Sequence, residues 1–326
     1  EALMPVNHMG QARLHTYLPV DPNLIQASLG GKAHDKSFWI KEVSRLIKMA
    51  TDQAFEVEFS PEGYSRMGDN WLFVTAVIEA AIEAGATIIN CPDTIGGASR
   101  YQGSQYFVNV MQRHADYFET RFPDKQITWS CHCHNDLGMA VENSMAAVFD
   151  GPARQIEGCM NGVGERAGNA AIEQCLMLID QFGQQLSGPI FYTDCQLAHL
   201  KAASDFIASK MLPRQPHTPI VGDNAARHSS GGHTNAILRN PMSYQPFDPT
   251  RVGSEIGIVF GPLSGGNHAK EIIERHGEIC HDTEKAEIAQ FIKNQYVERR
   301  KGITDQEVMA GYFAYRQQQL KEGTHG

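Results

Sequence analysis

Two histidines and two cysteines alternate in the stretch Ser130–Gly138, which reads SCHCHNDLG. In a β-strand successive side chains point to opposite faces, so His132 and His134 would share one face and Cys131 and Cys133 the other. A structural zinc site more usually takes cysteine pairs spaced C-x₂-C and wrapped around the metal by a turn. Two imidazoles side by side on a strand instead favour a divalent metal that keeps open positions for a substrate.

The alternative is that the two histidines have no function and are ordinary packed or exposed strand residues. An isolated H-x-H pattern is weak evidence for a metal site. Its position favours the metal site, since Asn135 and Asp136 follow it and a helix pattern begins after Gly138. The two cysteines are then expected to face the helix layer as small apolar side chains.

A second polar stretch, Asn161–Ala170 (NGVGERAGNA), also precedes a helix pattern. Its glycines and asparagines could merely form a loop and a helix cap. The chain has no G-x-G-x-x-G after its first strand and no P-loop lysine, which argues against nucleotide-dependent oxidoreductases and kinases.

These residues lie in a chain of alternating strands and helices between residues 12 and 183. The predicted strands are Arg13–Val20, Phe55–Ser60, Thr87–Asp93, Ile127–His134 and Gln155–Asn161. The predicted helices are Ser37–Thr51, Trp71–Ala84, Ser104–Phe122, Met139–Phe149 and Ala170–Phe182. This alternation predicts a parallel α/β sheet with right-handed crossovers. Polar residues gather where the strands end, which is where such enzymes carry their sites.

The number of units bears on the kind of sheet. Five βα units are predicted, whereas a closed (β/α)₈ barrel has eight. The three remaining units, at about 30 residues each, would need about 90 residues. Only residues 1–12 precede the first predicted strand, and Glu1–Gly10 among them resembles the end of a helix followed by a loop. We therefore expect residues 1–185 to form a TIM-type (β/α) barrel domain whose N-terminal strands are missing from this chain.

Beyond residue 185 the alternation stops, and residues 186–326 are expected to form a helical, loop-rich subdomain. Its predicted helices are Gln196–Met211, Asn267–His276, Thr283–Val297 and Thr304–Leu320. The Pro-, Gly-, His- and Asn-rich stretch 213–267 shows few regular signals. Loops of that length are usually functional or held by a partner, so we expect a dimer in which residues 213–260 wrap over the other subunit.

Composition narrows the function classes. A chain of 326 residues with net charge −9 and a pI near 5.9 gives no electrostatic support for nucleic-acid or membrane-surface binding. Seven cysteines, an odd number, favour a reducing compartment over a disulfide framework. No apolar run of membrane-spanning length and no signal-peptide pattern is present. We expect a cytoplasmic protein.

Several stretches carry a resemblance to a known family. The strongest are HCHNDLGMAVENSMAAV and QIEGCMNGVGERAGNAAIE. Further matches, in chain order, are RLHTYLPV, VEFSPEGYSR, EAGATIINCPDTIG, ARHSSGGHTNAILRNP, YQPFDPTRVG and LSGGNHAKEIIERHG. From about residue 12 to 278 the chain resembles the 2-isopropylmalate, homocitrate and citramalate synthases. These are metal-dependent TIM-barrel acyltransferases that also resemble hydroxymethylglutaryl-CoA lyase.

The resemblance implies a metal site. His132 and His134 would be ligands of a divalent ion (Mg, Mn or Zn), and Asn169 would complete the metal shell or lie just outside it. Glu62 would hydrogen-bond near the metal and the carbonyl of a 2-oxo acid, although a glutamate in a loop is more often simply exposed.

The same resemblance implies where the substrates lie. Ser60 and His15 would line the pocket of the 2-oxo acid, and Thr94 would hold its carboxylate. His233 and Tyr244 match residues that reach a barrel site, typically that of the partner subunit in a homodimer. His233 would assist proton removal from the methyl group of acetyl-CoA, whereas Tyr244 could otherwise be an aromatic that packs a loop.

Together these parts imply a Claisen-type condensation in which acetyl-CoA adds to a 2-oxo acid and the thioester is then hydrolysed. HSSGGH, at residues 228–233, is similar to a stretch of 2-isopropylmalate synthases and favours 2-oxoisovalerate as acceptor and a role in leucine biosynthesis. LSGGNHA and YQPFDPTRVG fit citramalate-type members equally well. Homocitrate synthase is a third possibility, and a lyase is less favoured. From another class, the chain could be an inactive paralogue or fragment that mainly dimerises.

Two departures from the family pattern matter. The Asp-Arg-Glu/Asp-Gly type motif of the family's first strand, with one metal ligand and an arginine, does not occur here. We therefore expect residues 1–326 alone to bind metal weakly and to be nearly inactive. The additional C-terminal regulatory domain of leucine-regulated members is also not visible, so the sequence shows no site for feedback by leucine.

Overall fold

The computed structural model describes residues 11–185, 188–297 and 302–323. The chain divides into two compact units, of which the first ends at Cys195 and the second begins at Gln196. The expected helix tail and loop at Glu1–Gly10 lies outside the described residues.

Within the described part of the first unit, five strands form one parallel sheet. They are β1 (Arg13–Pro19), β2 (Glu56–Glu62), β3 (Ile88–Asp93), β4 (Thr128–Cys133) and β5 (Ala153–Glu157). Their order in the sheet is their order in the chain, β1-β2-β3-β4-β5. The register pairs His15 with Glu58, Asn90 with Ser130 and His132 with Glu157. This is the (β/α) alternation of a TIM-type barrel, as predicted.

Helices connect and cover the strands. They are α1 (Pro22–Ser28), α2 (Lys36–Thr51), α3 (Trp71–Glu83), α4 (Phe107–Arg121), α5 (Ala140–Phe149) and α6 (Ile172–Phe182). In α3, Phe73, Val74, Val77 and Ile78 recur at helical spacing and are buried in the main core. Helix α1 was not predicted, although Asp21 caps it by accepting hydrogen bonds from the backbone N–H groups of Asn23 and Leu24.

The two faces of the sheet differ. One face contributes Val57, Phe59, Ile89, Cys91 and Cys131 to the apolar core. The opposite face, which we call the polar face, carries charged and polar side chains from all five strands. These are Arg13, His15, Glu58, Ser60, Asn90, His132, Gln155 and Glu157.

The sheet is curled around its polar face. Strands β1 and β5 are its two ends, yet the Arg13 guanidinium donates a 2.8 Å hydrogen bond to Gln155 Oε1. The side chains of non-neighbouring strands therefore meet over the polar face, as in the interior of a barrel.

Several predicted boundaries differ from the structure, and the helix predicted to begin at Gln196 begins at Leu200. Two of the differences have a cause in the backbone. Strand β5 ends at Glu157 rather than continuing to Asn161, because the chain turns there through Asn161 and Gly162, both with φ near +60°. Helix α4 starts at Phe107 rather than at Ser104, because a 3₁₀ segment occupies Arg100–Gln105 and Tyr106 (φ −59°, ψ 130°) separates it from the helix.

The described part of the second unit is mainly helical, as predicted. It contains α7 (Leu200–Lys210), α8 (Gly231–Arg239), α9 (Gly266–Arg275), α10 (Lys285–Gln295) and α11 (Asp305–Gly323). A separate apolar core is built around Phe260, Ile272, Ile288 and Ile292.

The stretch 213–267 is more regular than its composition predicts. It contains helix α8 and a short parallel pairing between β6 (Arg227–His228) and β7 (Gly257–Ile258). Among the described helices, none combines the length and the apolar character that crossing a membrane requires.

Candidate active site at the polar face

Strand β4 separates its histidines from its cysteines as the alternation predicts. His132 Nε2 and His134 Nε2 lie 3.2 Å apart on the polar face. Cys131 and Cys133 are fully buried on the other side, and Cys131 Sγ lies 3.9 Å from the carbonyl oxygen of Ser144 in α5. The cysteines therefore face the helix layer, and the two histidine rings lie close enough to bind the same ligand.

The glycine-rich loop is fixed beside the end of β4. Asn135 N–H donates to Gly168 O, and Ala170 N–H donates to Cys133 O, at 2.8 and 3.0 Å. Gly168 has φ of 90°, and a Cβ there would come within 2.0 Å of Gly162 O, so only glycine fits this close approach. Asn169 is thereby paired with His134 in an isolated antiparallel bridge.

Three buried polar atoms at this point have no hydrogen-bond partner among the described residues. They are Nδ1 of His132, Nδ1 of His134 and Oδ1 of Asn169. The Asn169 amide nitrogen, in contrast, donates to Val163 O at 3.1 Å. Buried polar atoms are nearly always paired, so this cluster calls for an explanation. An ion could bond Asn169 Oδ1, whereas the two Nδ1 atoms belong to rings whose other nitrogens, Nε2, lie 3.2 Å apart.

The donor set fits a divalent cation. Two nitrogens bound to one ion at about 2.1 Å, roughly at right angles, would lie about 3.0 Å apart, and the observed separation of the two Nε2 atoms is 3.2 Å. Burial, together with the nearby His132 and Arg166, lowers the pKa of His134 below its ordinary value. His134 therefore stays neutral near pH 7, which is the form of imidazole that binds metals.

A series of polar contacts, most of them hydrogen bonds, runs from this pair across the polar face. Glu157 Oε2 lies 3.3 Å from His132 Nδ1, although the angle is not that of a hydrogen bond. The Asn90 amide donates both to Glu157 Oε2 at 3.1 Å and to Ser60 Oγ at 3.0 Å. Ser60 Oγ in turn lies 2.7 Å from His15 Nε2. The predicted pair His15 and Ser60 is thus in contact.

Nearer the start of the strands, charged groups neutralise one another. Arg13 forms ion pairs with Glu56 at 2.8 Å and with Glu58 at 3.2 Å, and Gln155 Nε2 donates to Glu58 Oε1 at 2.9 Å. Burial, followed by the hydrogen bond and charge of Glu157, raises the pKa of Glu58 to about 7. Burial tends to raise the pKa of Glu157, but its contacts with His132 and Glu58 outweigh this effect and leave the pKa below its ordinary value.

A second group of side chains could also hold a cation. One ligand atom each from His15, Glu58 and Glu157 lies within 4.8 Å of the others. Because Arg13 and Gln155 already bond to both oxygens of Glu58, this group is largely satisfied by protein contacts.

The predicted residues Glu62 and Thr94 lie at the carboxyl ends of β2 and β3. Thr94 Oγ1 accepts a 2.9 Å hydrogen bond from Gly63 N–H, which joins the two strand ends. Burial raises the pKa of Glu62. Arg166, in the glycine-rich loop, also lies at these strand ends. It donates hydrogen bonds to Thr94 O at 2.8 Å and to both carboxylate oxygens of Asp136.

His233 and Tyr244 belong to the second unit, where they lie together. Their rings stack at 4.0 Å between centroids, and both side chains are exposed. His228 stands beside them, with its ring 6.2 Å from that of His233 and its Nε2 2.9 Å from Gln245 Nε2. The two residues named from the sequence are therefore brought together on the surface of α8 and the turn after it.

Sequence reasoning missed Asn90, Glu157, Arg166 and His228. Asn90 stands inside an otherwise apolar strand, and Glu157 follows Gln155 at a spacing of two. Alternation along the predicted strand would have placed those two β5 residues on one face. Arg166 was recorded only as part of the glycine-rich loop.

Fold and site together define a class: a (β/α)-barrel protein whose polar groups converge at the carboxyl ends of parallel strands. A family model described as HMGL-like matches residues 4–207, and one described as homocitrate synthase post-HMGL domain-like matches residues 220–300. The chain belongs to the HMGL-like family.

Similar proteins include the 2-isopropylmalate synthase of Pelotomaculum thermopropionicum, 34% identical over 307 residues, covering 94% of this chain and 57% of the relative. The 2-isopropylmalate synthase of Polaromonas naphthalenivorans is 36% identical over 319 residues, covering 95% and 57%. The chain spans little more than half the length of these curated relatives. The solved hydroxymethylglutaryl-CoA lyase of Pseudomonas aeruginosa aligns at 17% identity with a TM-score of 0.46, over 62% of this chain and 64% of that chain.

Proposed function

We propose that the protein is a metal-dependent acyltransferase that condenses acetyl-CoA with 2-oxoisovalerate, giving 2-isopropylmalate and CoA, in leucine biosynthesis. The names of the relatives support this assignment. The observation that supports it is the pair of Nε2 atoms of His132 and His134, 3.2 Å apart, together with the unpaired Oδ1 of Asn169, the backbone partner of His134, since a condensation of this type needs a Lewis acid beside the ketone. We further propose a cytoplasmic location, where its seven free cysteines would stay reduced.

His132, His134 and Asn169 would hold a divalent ion, with Mg, Mn and Zn as candidates. When bound, the ion would polarise the ketone of the 2-oxo acid. The neutral imidazole of His134 keeps a lone pair available for this role because its pKa is lowered by burial.

The chain's own residues would orient the 2-oxo acid. His15 and Ser60, in contact at 2.7 Å, would line its pocket. Thr94 would hold its carboxylate, since a hydroxyl that accepts one hydrogen bond can donate another. Glu62 would hydrogen-bond to the carbonyl oxygen, because a carboxyl group with a raised pKa can donate its proton to a developing oxyanion.

His233 would remove the proton from the acetyl methyl group, with Tyr244 stacked against it. A histidine has a pKa near neutrality, which suits a general base at pH 7. We propose a homodimer in which the stretch 213–260 presents both exposed side chains to the barrel site of the partner subunit. Support comes from their stacking on one surface of the second unit.

A mixing experiment tests the shared site. In the natural full-length protein, His132→Ala and His233→Ala would each be inactive alone, and mixing the two under conditions that exchange subunits should restore activity, since a mixed dimer has one intact site. A mixture as inactive as its components, with subunit exchange verified, would show that each chain supplies its own histidine.

The substrate is tested by CoA release from acetyl-CoA, followed as free thiol, with the natural full-length protein and several 2-oxo acids. We expect 2-oxoisovalerate to give the highest kcat/KM. A preference for pyruvate would indicate a citramalate synthase. A preference for 2-oxoglutarate would indicate a homocitrate synthase, which the description of the second matching family model favours as the runner-up. Absence of both turnover and metal binding would indicate an inactive, dimerising paralogue.

A further inference from the structure

Glu157 lies beside His132, one of the proposed metal ligands, at the ring nitrogen that does not face His134. It is the register partner of His132 on the neighbouring strand, and its Oε2 lies 3.3 Å from His132 Nδ1. The other ring nitrogen of His132, Nε2, faces His134. The carboxylate and the neighbouring histidine thus contact opposite ends of the same imidazole ring.

The Glu157 carboxylate is itself held in place. Asn90 donates to its Oε2 at 3.1 Å, and the same amide group donates to Ser60 Oγ. Asn90 and Ser60 are both buried, at 2% and 5% exposure, so this support is rigid. Glu157 is therefore anchored through Oε2, the same oxygen that lies beside His132.

We propose that Glu157 is a positioning residue that fixes the orientation and the tautomer of His132. A carboxylate beside Nδ1 favours the proton on that nitrogen, which leaves the lone pair on Nε2 pointing toward His134 and Asn169. The inference rests on the proposed metal site, because its benefit is a ligand nitrogen that is already oriented before the ion arrives.

The competing role for Glu157 is ligation of a cation together with His15 and Glu58. The two roles make different demands on Glu58. A positioning role for Glu157 needs no bond from Glu58 to a metal, although the two carboxyl groups contact each other, whereas a cation bound by the three residues would be weakened by loss of either carboxylate.

The tautomer is measured first, in the metal-free protein. Long-range ¹⁵N–¹H spectra at about pH 8.5, where histidine is ordinarily neutral, distinguish the two ring nitrogens, and His132→Gln assigns the signals. We expect His132 to carry its proton on Nδ1 in the natural chain and in Glu56→Gln, and to lose this preference in Glu157→Gln. Glu56 is the matched control, because it is a carboxylate of the same sheet that pairs with Arg13. An Nε2–H tautomer in the natural chain, or no change in Glu157→Gln, would overturn the proposal.

Cobalt(II) titration, followed by its visible absorption, gives a second readout. Glu157→Gln should weaken binding about 10–100-fold, Glu157→Asp should recover part of this loss, and Glu56→Gln should stay within about twofold of the natural chain. Equal affinities in Glu157→Gln and the natural chain would refute the positioning role. So would a second bound ion that is lost equally in Glu157→Gln and Glu58→Gln.

Failure of the proposed function would be recognisable separately. If the natural chain binds no cobalt at all, the proposed metal site is wrong, and the tautomer of His132 alone decides whether Glu157 controls this ring.

Discussion

The two ends of the polar face satisfy their polar groups in different ways. Toward the start of the strands, Arg13 bonds to Glu56, Glu58 and Gln155, so charge meets opposite charge within the protein. At the carboxyl end, three buried atoms of His132, His134 and Asn169 have no hydrogen-bond partner in the described part of the chain. One end is complete without a ligand, and the other is not.

This difference in hydrogen bonding distinguishes side chains that stabilise the fold from side chains that are placed to bind a ligand. An unpaired buried polar atom costs about 1–3 kcal/mol, so a cluster of them is a net disadvantage to the fold alone. An ion bound by His132 Nε2, His134 Nε2 and Asn169 Oδ1 would supply the bond that Oδ1 lacks, and Glu157 Oε2 already lies 3.3 Å from the Nδ1 of His132. The comparison therefore predicts that substitutions at the two ends affect different measurements.

The largest effect is expected for His134→Ala. Loss of a direct ligand should reduce cobalt or zinc affinity by more than about 100-fold. Loss of a residue that only contacts a ligand typically costs about 10–100-fold. The free energy of unfolding of the metal-free protein should change by no more than about 1.5 kcal/mol, because the imidazole loses only its 3.2 Å contact with His132 Nε2 and its Nδ1 makes no hydrogen bond. Unchanged affinity, measured by metal titration, would contradict the assignment of this end as the metal site.

Arg13→Met tests the other end. Glu58 is 2% exposed and would lose its cationic partner, so we expect the free energy of unfolding to fall by about 1–3 kcal/mol. Metal affinity should not change. The control is Lys48→Met, which breaks an exposed pair with Asp52 and should cost less than about 1 kcal/mol. Similar losses in both variants, measured by urea denaturation, would show that the Arg13 network is no more than a surface feature.

The raised pKa of Glu58 predicts a pH dependence of stability. The folded pKa of about 7 lies above the ordinary 4.5, so between these values the folded state binds more protons than the unfolded state. Its contribution to stability is therefore present below pH 4.5 and is lost as the pH rises toward 7. Glu58→Gln removes this loss, so its stability relative to the natural chain should rise by about 2–3 kcal/mol across that window. Parallel stability profiles from pH 4 to 8 would refute the raised pKa.

The smallest effect is expected for Cys131→Ala. Cys131 faces α5 rather than the polar face, so metal affinity should stay within about twofold, and loss of the buried sulfur should cost about 1 kcal/mol of stability. A large loss of metal affinity would mean that the strand does not separate its two faces as the structure indicates.

The sequence predicted much of this arrangement from local patterns. The five strands and the helices between them follow from alternation and helical spacing, and the shared face of His132 and His134 follows from the period of a strand. Helix α8 and the β6–β7 pairing were missed because glycines, prolines and histidines hide regular structure in 213–267. In that stretch contacts within the folded unit, rather than local propensity, decide the conformation.

The support behind the ligands could not be predicted in the same way. Asn90 and Glu157 are 67 residues apart and belong to different strands, and they meet only because the sheet curls. Strand periodicity states which face a side chain occupies, but not which residue of another strand it contacts. The pairing of Arg13 with Gln155, 142 residues apart, has the same origin.

The most direct test of the central claim is anomalous diffraction at the metal absorption edge, from crystals of the protein equilibrated with cobalt or zinc. We expect a peak bounded by His132 Nε2, His134 Nε2 and Asn169 Oδ1. A peak among His15, Glu58 and Glu157, a peak at the cysteines of β4, or no peak on the polar face would contradict it.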